Sequence, residues 1–524
     1  MAKVKIQGHA SGTGVITLTA PNTNTDRTIT LPDESITLSA GATTLGGLTD
    51  VSMDITNFAD SILIQTDSDG SAPTTGTLSS ASNNVGIGKD VFAALTSGTE
   101  NIAIGKEALM AVTTGASNVA IGGDSLQANT TGGDNVAVGR NTLQANTTAS
   151  NNTAIGKSSL ALNTTGDSNT AVGSDALFNN TTGSNNVAIG MEAGLSNTTG
   201  SNNTVLGYGA LEKNTTASNN VAIGRDALEE NTTGSRNTAE GYLSLSANTT
   251  GGSNTAMGAY SLASNTTASY NTAVGDTALY TNTTGANNTA VGDHSLYSNT
   301  TGSEATAVGR NALINQTTAT NNVAVGYDCM KAVTTGGENT SVGTYALQAV
   351  TNGNNNTAIG YASGQTTTSG TYNIMLGRAA YSSSATASNE CTLGGTYVNN
   401  LRCNDTSISS LSDSRDKTSI EDIPLGLAFI NTVRPVAFDW NCREDNEDLG
   451  LVGEMDVHKA GKKDFGFIAQ ELKTAADATD YADHMRLVSE SNPNRLEADP
   501  MKMFPILIKA IQELSAKVTA LESE

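Results

Sequence analysis

Aromatic side chains make up 4% of this 524-residue chain, with a single tryptophan, Trp440, and charged residues make up 15%. Both are low for ordinary globular domains, so no large mixed core is expected. Cysteine is scarce. Cys329, Cys391, Cys403 and Cys442 show no C-x-x-C spacing, which argues against a zinc or disulfide framework and fits free thiols made in a reducing cytoplasm. Cations are few, 27 Lys and Arg against 50 Asp and Glu, and a net charge of -23 argues against nucleic acid, whose phosphates need clustered Lys and Arg. No apolar run is long enough to span a bilayer, and Met1 to Gly14 lack a basic segment followed by an apolar one, so neither Sec export nor membrane insertion is expected.

What the chain has in quantity is glycine, 54 residues, with Asn and Thr, and these are patterned. From Gly88 a glycine recurs every 17 residues to Gly394, nineteen copies without an insertion or deletion. So short a period fits one coil of a solenoid per repeat, each coil burying its apolar face against its neighbours. Without the period, the same composition would suggest disorder.

In the copy from Gly173 to Gly190, GSDALFNNTTGSNNVAIG, Val187 and Ile189 lie two apart and share a strand face. The Ile189 position is apolar in 18 of 19 copies and the Leu177 position is Leu in 13 of 18 complete repeats. These three are expected to point inward. Ala188, opposite them, is Ala in 14 of 19 copies, and so small a side chain is expected to lie under a neighbouring chain, making the rod an oligomer. The blander alternative is a monomeric solenoid with Ala-coated sides.

Asn186 has Asn counterparts in 17 of 19 copies, the exceptions being Ala305 and Glu390, and Asn180 belongs to an unbroken run from Asn129 to Asn299. Stacked Asn amides are expected to form ladders from rung to rung. The many N-T-T tripeptides match the N-glycosylation pattern but read as parts of these ladders. At ~4.8 Å per rung the shaft would be ~85 Å long.

Glu240, the one charge at the Ile189 position, reads as a tolerated defect at a frayed rung, with an internal ion site as the sharper alternative. Glu107, Asp124, Asp175, Glu192, Asp226 and Asp328 follow the glycine by two. Neighbouring carboxylates there could approach the separation used by retaining glycosidases. They read instead as solvent-loop residues, with no apolar surroundings to raise a pKa and no aromatic platform for a sugar.

The strand motif N-x-V-A-I-G, over residues 84 to 394, resembles the head repeats of YadA-type trimeric autotransporter adhesins. That resemblance implies a trimeric left-handed β-roll. The 17-residue period is longer than that family's, and the sequence shows neither the signal peptide nor the membrane barrel of an autotransporter.

Residues 1 to 45 hold alternating segments, Val15 to Thr19 and Thr28 to Leu31, around the turn-rich Pro21 to Asp26, and read as a small β module. GTGVITLTAPNTNTDRTITLP resembles N-terminal segments of structural proteins of tailed phages, which implies attachment to other tail or baseplate proteins. Residues 46 to 84 read as a connector, 85 to 394 as the shaft and 395 to 411 as a neck. From 412 to 524 the composition changes, with 13 Lys and Arg and 22 Asp and Glu in 113 residues. A compact α+β domain is expected there.

At that boundary stands Ser412-Asp413-Ser414-Arg415-Asp416-Lys417, with Ile420 following. This S-D-x-R-x-K-x-x-I pattern resembles the opening of the C-terminal intramolecular chaperone of phage tail spikes and fibres, the self-cleaving endosialidase type. Val433-Arg434-Pro435-Val436-Ala437-Phe438, Gly466-Phe467-Ile468-Ala469-Gln470-Glu471-Leu472 and Ala510-Ile511-Gln512-Glu513-Leu514 agree in order and spacing. The resemblance implies trimerisation followed by one self-cleavage between Leu411 and Ser412, with Ser412 as nucleophile and Lys417 assisting. A serine needs a neutral amine to take its proton. Positive charge from Arg415 would help lower the lysine pKa, and Asp413 reads as an orienting or capping residue. Taken alone, Ser412 and Asp413 would read as a turn and Lys417 as a solvated surface residue.

Phe504, Leu507, Ile511, Leu514, Val518 and Leu521 alternate spacings of three and four, a short coiled-coil seam that Asp499-Pro500 would open as a cap and first turn.

The fold expected is mainly β: a trimeric β-solenoid shaft between a small β module and an α+β chaperone domain ending in a coiled-coil helix. The resemblances together imply a homotrimeric tail fibre of a tailed phage, made in the host cytoplasm and carried on the virion, binding a glycan or outer-membrane component of the host. No cofactor or metal is expected. The alternatives are a cell-surface adhesin and a tail-spike glycan depolymerase.

Overall fold

A computed structural model of the chain describes residues 51–55, 58–64, 78–395, 398, 420–439, 463–489 and 496–523. The N-terminal module read at 1 to 45 and nearly all of the neck lie outside the described residues.

The shaft is one parallel sheet wound into a solenoid. Nineteen three-residue strands, from β4 (Val85–Ile87) to β22 (Cys391–Leu393), each pair in register with the strand one repeat away. In the type repeat, β10 (Val187–Ile189) lies between β9 (Thr170–Val172) and β11 (Thr204–Leu206), matching Ala188 to Ala171 and Val205. The stretch read as a connector supplies the start of the stack. β1 (Val51–Ile55) and β2 (Phe58–Ile64) form an antiparallel hairpin, and β2 pairs parallel with β4.

The recurrent glycine is required twice over. Gly173 has φ +139°, and a Cβ there would lie 2.3 Å from the Gly190 carbonyl oxygen of the next rung. Asp175, Leu177 and Asn185 also adopt left-handed backbone, with φ of 58°, 50° and 60°. Asp and Asn tolerate that conformation, but a leucine there is strained by about 1 kcal/mol or more and persists because its side chain is locked in the core.

The strand faces are reversed from the sequence expectation. Ala188 is the inward residue, 0% exposed, whereas Val187 and Ile189 are 37% and 40% exposed. Leu177 does point inward, joined by Ala176 rather than by the two branched residues. The coil leaves this row room for little more than Ala where Leu fills the Leu177 position, and admits Val205 and Met375 where Gly194 and Gly364 stand there instead. Glu240 therefore sits on the outer aliphatic row, between Ile223 and Met257, and is not an internal residue.

Departures from the inner pattern come in compensating sets. Where Gly364 replaces the inward Leu, Met375 replaces the inward Ala, and a Cβ on Gly364 would meet the Met375 Sδ at 2.9 Å. Gly86 replaces the first Ala beside Phe92, which stands at the Leu position. Volume, not residue identity, is what the core holds constant.

Two Asn ladders run along the interior. Asn186 donates from its backbone N–H to Asn169 Oδ1 at 3.0 Å, and from Nδ2 to the same oxygen at 3.1 Å and to the Gly200 carbonyl at 2.9 Å. Asn180 Nδ2 donates to Asn163 Oδ1 at 2.8 Å and to the Gly183 carbonyl at 2.9 Å. These amides thus bond both within their own rung and to its neighbour, as buried polar groups do; Asn152 Nδ2 is buried without a partner. The first ladder is closed at both ends: Ser61 Oγ accepts the Asn84 N–H at 2.8 Å, and Glu390 Oε2 accepts the Ser383 N–H at 2.7 Å.

The missing amide at Ala305 is made good by a second substitution. Gln316 stands in the other ladder, and its Oε1 accepts from Asn322 Nδ2 at 2.9 Å, the amide that would otherwise have bonded to residue 305.

The C-terminal module has its own core of Phe429, Leu472, Ala476, Met485, Leu487, Met503 and Ile506. Its elements are α1 (Leu427–Ile430), β23 (Val436–Asp439), β24 (Lys463–Gly466), α2 (Ala469–Asp477), α3 (Ala482–Met485), the short pair β25 (Val488–Ser489) and β26 (Glu497–Ala498), and α4 (Phe504–Glu522). Asp499 and Pro500 open a 3-10 turn ahead of α4 rather than α4 itself; Asp499 makes no side-chain cap and pairs with Lys502 at 3.3 Å.

Candidate functional site

Leu411, Ser412, Asp413, Arg415 and Lys417 lie outside the described residues. The framework downstream of them is described, and it is assembled by the stretches that carried the resemblance. Val433 to Phe438 provides β23, which pairs antiparallel with β24, Val436 opposite Gly466. Arg434 at the start of the first stretch reaches Glu471 in the first turn of α2. Its Nε donates to Glu471 Oε2 at 2.9 Å and its terminal nitrogen to Oε1, a two-point clasp of guanidinium on carboxylate. Arg434 holds the Glu471 carboxyl below the ordinary glutamate value, chiefly through this hydrogen bond.

The third stretch ties α4 to the segment that follows the Ser412 motif. Glu513 Oε2 accepts the backbone N–H of Leu427 at 2.9 Å, filling an orphan donor at the start of α1. Gly426 makes room for that carboxylate, which a Cβ would approach to 2.4 Å. Sequence reading singled out these stretches by resemblance; that Arg434 meets Glu471 and Glu513 meets Leu427 is visible only in the fold.

α4 has two apolar faces. Ile506 and Ala510 are buried in the module. Phe504, Leu507, Ile511, Leu514, Val518 and Leu521, the seam residues, all stand exposed, Phe504 at 61% and Leu521 at 72%. Beyond Glu513 every described residue of the helix is exposed. A helix with a bare apolar seam that outruns its own domain presents a surface for other helices.

The shaft carries a second bare apolar surface. The outer rows of its strands expose Ile87, Ile121, Ile155, Ile189, Leu206 and their counterparts along the sheet. Exposed aliphatic rows of this length are the kind of surface that partner chains cover.

The acidic residues two after the glycine occupy left-handed corners, with φ from 50° at Asp328 to 61° at Asp124. They are held by corner contacts: Glu107 to Lys106 at 2.6 Å, Asp226 to Arg225 at 3.0 Å, Asp328 to Lys331 at 3.1 Å, and Asp175 to the Ser174 hydroxyl at 2.7 Å. Lys106 lowers the Glu107 pKa by hydrogen bonding, the opposite of what a general acid needs.

The expectation that the shaft has no aromatic platform is overturned. Tyrosines one, two or five residues after the glycine converge on one corner. Tyr242 and Tyr260 have ring centroids 5.2 Å apart, Tyr260 and Tyr280 6.2 Å, and Tyr280 and Tyr297 5.2 Å. The Arg225 guanidinium lies 5.6 Å from the Tyr208 ring and 5.9 Å from that of Tyr242. Further along, Tyr345 lies 5.5 Å from Tyr327 and 5.9 Å from Tyr361, whose ring carries Arg378 at 5.6 Å. Three different repeat positions conceal this alignment in the sequence.

No curated protein and no solved structure matches the chain. Its C-terminal part does match a known family: residues 412–484, from the serine of the S-D-x-R-x-K pattern into α3, are similar to the family described as chaperone of endosialidase, whose members' domains imply trimeric assembly.

Proposed function

We propose that the chain is a homotrimeric tail fibre of a tailed phage, aligned by its C-terminal module, which then removes itself by cleavage between Leu411 and Ser412. The observation that carries this reading is the position of the family match, whose first residue is Ser412. The bare seam on α4 and the aliphatic stripe on the shaft supply the matching need for partner chains.

The shaft poses the problem that the module answers. Identical rungs can pair between chains one or more repeats out of register at little energetic cost. Three modules brought together through the α4 seam fix a common end, from which the stripes of Val, Thr and Ile pack against one another rung by rung. Neighbouring chains thus cover the Val187 and Ile189 face, not the Ala188 face.

In the cleavage, Ser412 Oγ attacks the carbonyl carbon of Leu411 while the Lys417 amine takes the hydroxyl proton. The peptide C–N bond breaks as the Ser412 nitrogen is protonated, leaving an ester between Leu411 and Ser412 Oγ. Water hydrolyses the ester to a Leu411 carboxylate and the free hydroxyl. Departure of the module removes the template for refolding, so the persistence of the shaft becomes kinetic.

Mass spectrometry of the purified product tests the reading. Wild-type fibre loses residues 412 to 524, whereas Ser412→Ala and Lys417→Ala fibres keep them and still form trimers. A stable wild-type trimer that stays full length sinks the proposal of self-cleavage.

A further inference from the structure

Tyrosine is distributed unevenly over repeats that are otherwise nearly alike. The seven repeats from Gly88 to Gly207 contain none and fold with the same strands, glycine corners and Asn ladders as the rest. From Tyr208 onward, six consecutive rungs each place a ring or a guanidinium on the same corner: Tyr208, Arg225, Tyr242, Tyr260, Tyr280 and Tyr297. The next rung carries Arg310, paired with Asp293 rather than stacked on a ring, and a second tract then runs from Tyr327 to Arg378. Folding of the solenoid does not need these rings, because seven of its eighteen repeats fold without them.

Several of the rings are open to solvent, Tyr208 at 44%, Tyr242 at 40% and Tyr361 at 50%. Most of the neighbouring pairs are edge to face, at interplanar angles of 85°, 73°, 81° and 81°, so a pair does not use up both ring faces. The corner is also electrostatically closed to polyanions. Arg225 is paired with Asp226, Arg310 with Asp293 and Lys213 with Glu230. The chain carries a net charge of -23. What remains is a file of aromatic rings whose neighbouring centroids lie 5.2 to 6.2 Å apart, about the length of a pyranose ring, flanked by carboxylates able to accept bonds from hydroxyl groups.

We propose that this corner is a saccharide-binding track, on which the tyrosine rings of the C-terminal half of the shaft stack against the sugar faces of an uncharged polysaccharide lying along the fibre. The proposal rests on the reading of the shaft as an attachment fibre and names the chemistry of its ligand. The aliphatic stripe on the strands belongs to partner chains; the track lies on the turn that follows the glycine and is a separate surface.

Affinity electrophoresis of the assembled fibre in native gels tests the track, using neutral polysaccharides (mannan, galactomannan, a mixed-linkage β-glucan and dextran) beside acidic ones (alginate and polysialic acid). At least one neutral polymer is expected to retard wild type and neither acidic polymer to do so. The variant Tyr242→Leu/Tyr260→Leu/Tyr280→Leu keeps apolar bulk, and leucine already occupies left-handed positions in this shaft, so its trimer and melting curve should be preserved. Its apparent affinity should fall about tenfold or more, the weight of one lost aromatic anchor, while the corresponding Phe variant should retain binding. Failure of every neutral polymer to retard wild type, retardation by acidic polymers alone, or equal retardation of the Leu variant overturns the proposal. Adsorption to host cells separates the two readings: cell adsorption unaffected by the Leu variant removes the track and leaves attachment standing, whereas saccharide binding without cell adsorption removes attachment and leaves the track.

Discussion

The shaft and the C-terminal module reach order by opposite means. The shaft repeats one rung, so each side chain stacks on a copy of itself, and its interior is held by small aliphatics and neutral amides such as Asn180 and Asn186. The module repeats nothing. Its core joins Phe429, Leu472, Met485 and Met503 from separate elements, and its surface uses charged clasps such as Arg434 with Glu471. Repetition makes a long structure out of little information, but it cannot say which rung belongs beside which. An aperiodic core has one arrangement and, in the function proposed above, supplies the missing register.

The sharpest way to break this comparison is to remove the module. A chain ending at Leu411 retains every ladder and the whole aliphatic stripe, yet it should fail to assemble into uniform trimers and accumulate as misaligned or aggregated chains. Sedimentation velocity checks this directly. A single trimeric species from the truncated chain would mean that the shaft sets its own register and that the division of labour drawn above is wrong.

The two regions also differ in how far they could be read from sequence. The 17-residue period, the inward Leu177 and the rung-to-rung amides were legible, because period and ladder residues repeat in the chain itself. Which strand face lies inside was not. Val187, Ala188 and Ile189 are all apolar, and alternation assigns a face only when one side is polar. Size tolerance was the better signal: the inner row stays Ala in 14 of 19 copies, while the outer row accepts Ile, Val, Leu, Met and even Glu240. The expectation that chains pack on the Ala188 face fails, because that face is the interior of the coil; the exposed face is that of Val187 and Ile189. The left-handed Leu177 left no trace in the sequence, since leucine is not a residue that reports positive φ. The tyrosine corner was hidden by its spread over three repeat positions. In the module the reverse holds: motif order revealed its kinship, but the contacts between Arg434 and Glu471 and between Glu513 and Leu427 depend on the fold.

A finer test asks whether repetition in the shaft is local bookkeeping between neighbouring rungs or merely a tendency of composition. Gln316→Asn restores the common ladder residue and by composition alone should be neutral or stabilising. Because Ala305 leaves Asn322 short of an acceptor, the substitution should instead cost about 1 kcal/mol, the worth of one buried hydrogen bond. Ala305→Asn added to it should recover the loss, giving a coupling of similar size in a double-mutant cycle. Hydrogen exchange at the Asn322 and Asn339 amides reports it locally. Additive effects would show that the two departures from the pattern are independent.

The smallest expected effect concerns charge, where the two regions should part in their response to pH. Arg434 holds the Glu471 carboxyl below its ordinary value. A group whose folded pKa is lowered stabilises most fully above its unfolded pKa, and that contribution disappears as pH falls through the lowered folded value. The melting temperature of the module in an uncut Ser412→Ala fibre should therefore exceed that of the same protein carrying Glu471→Gln at neutral pH, and the gap should close in acid. Both partners are exposed, so added salt should narrow the gap at neutral pH as well. The neutral amide ladders have no proton to gain over this range, and shaft melting should not follow the same curve. If the gap persists below the carboxylate range, the clasp acts through packing of the Arg434 stem against Glu471 rather than through charge, and the contrast between an uncharged shaft interior and a charge-clasped module narrows to one of shape.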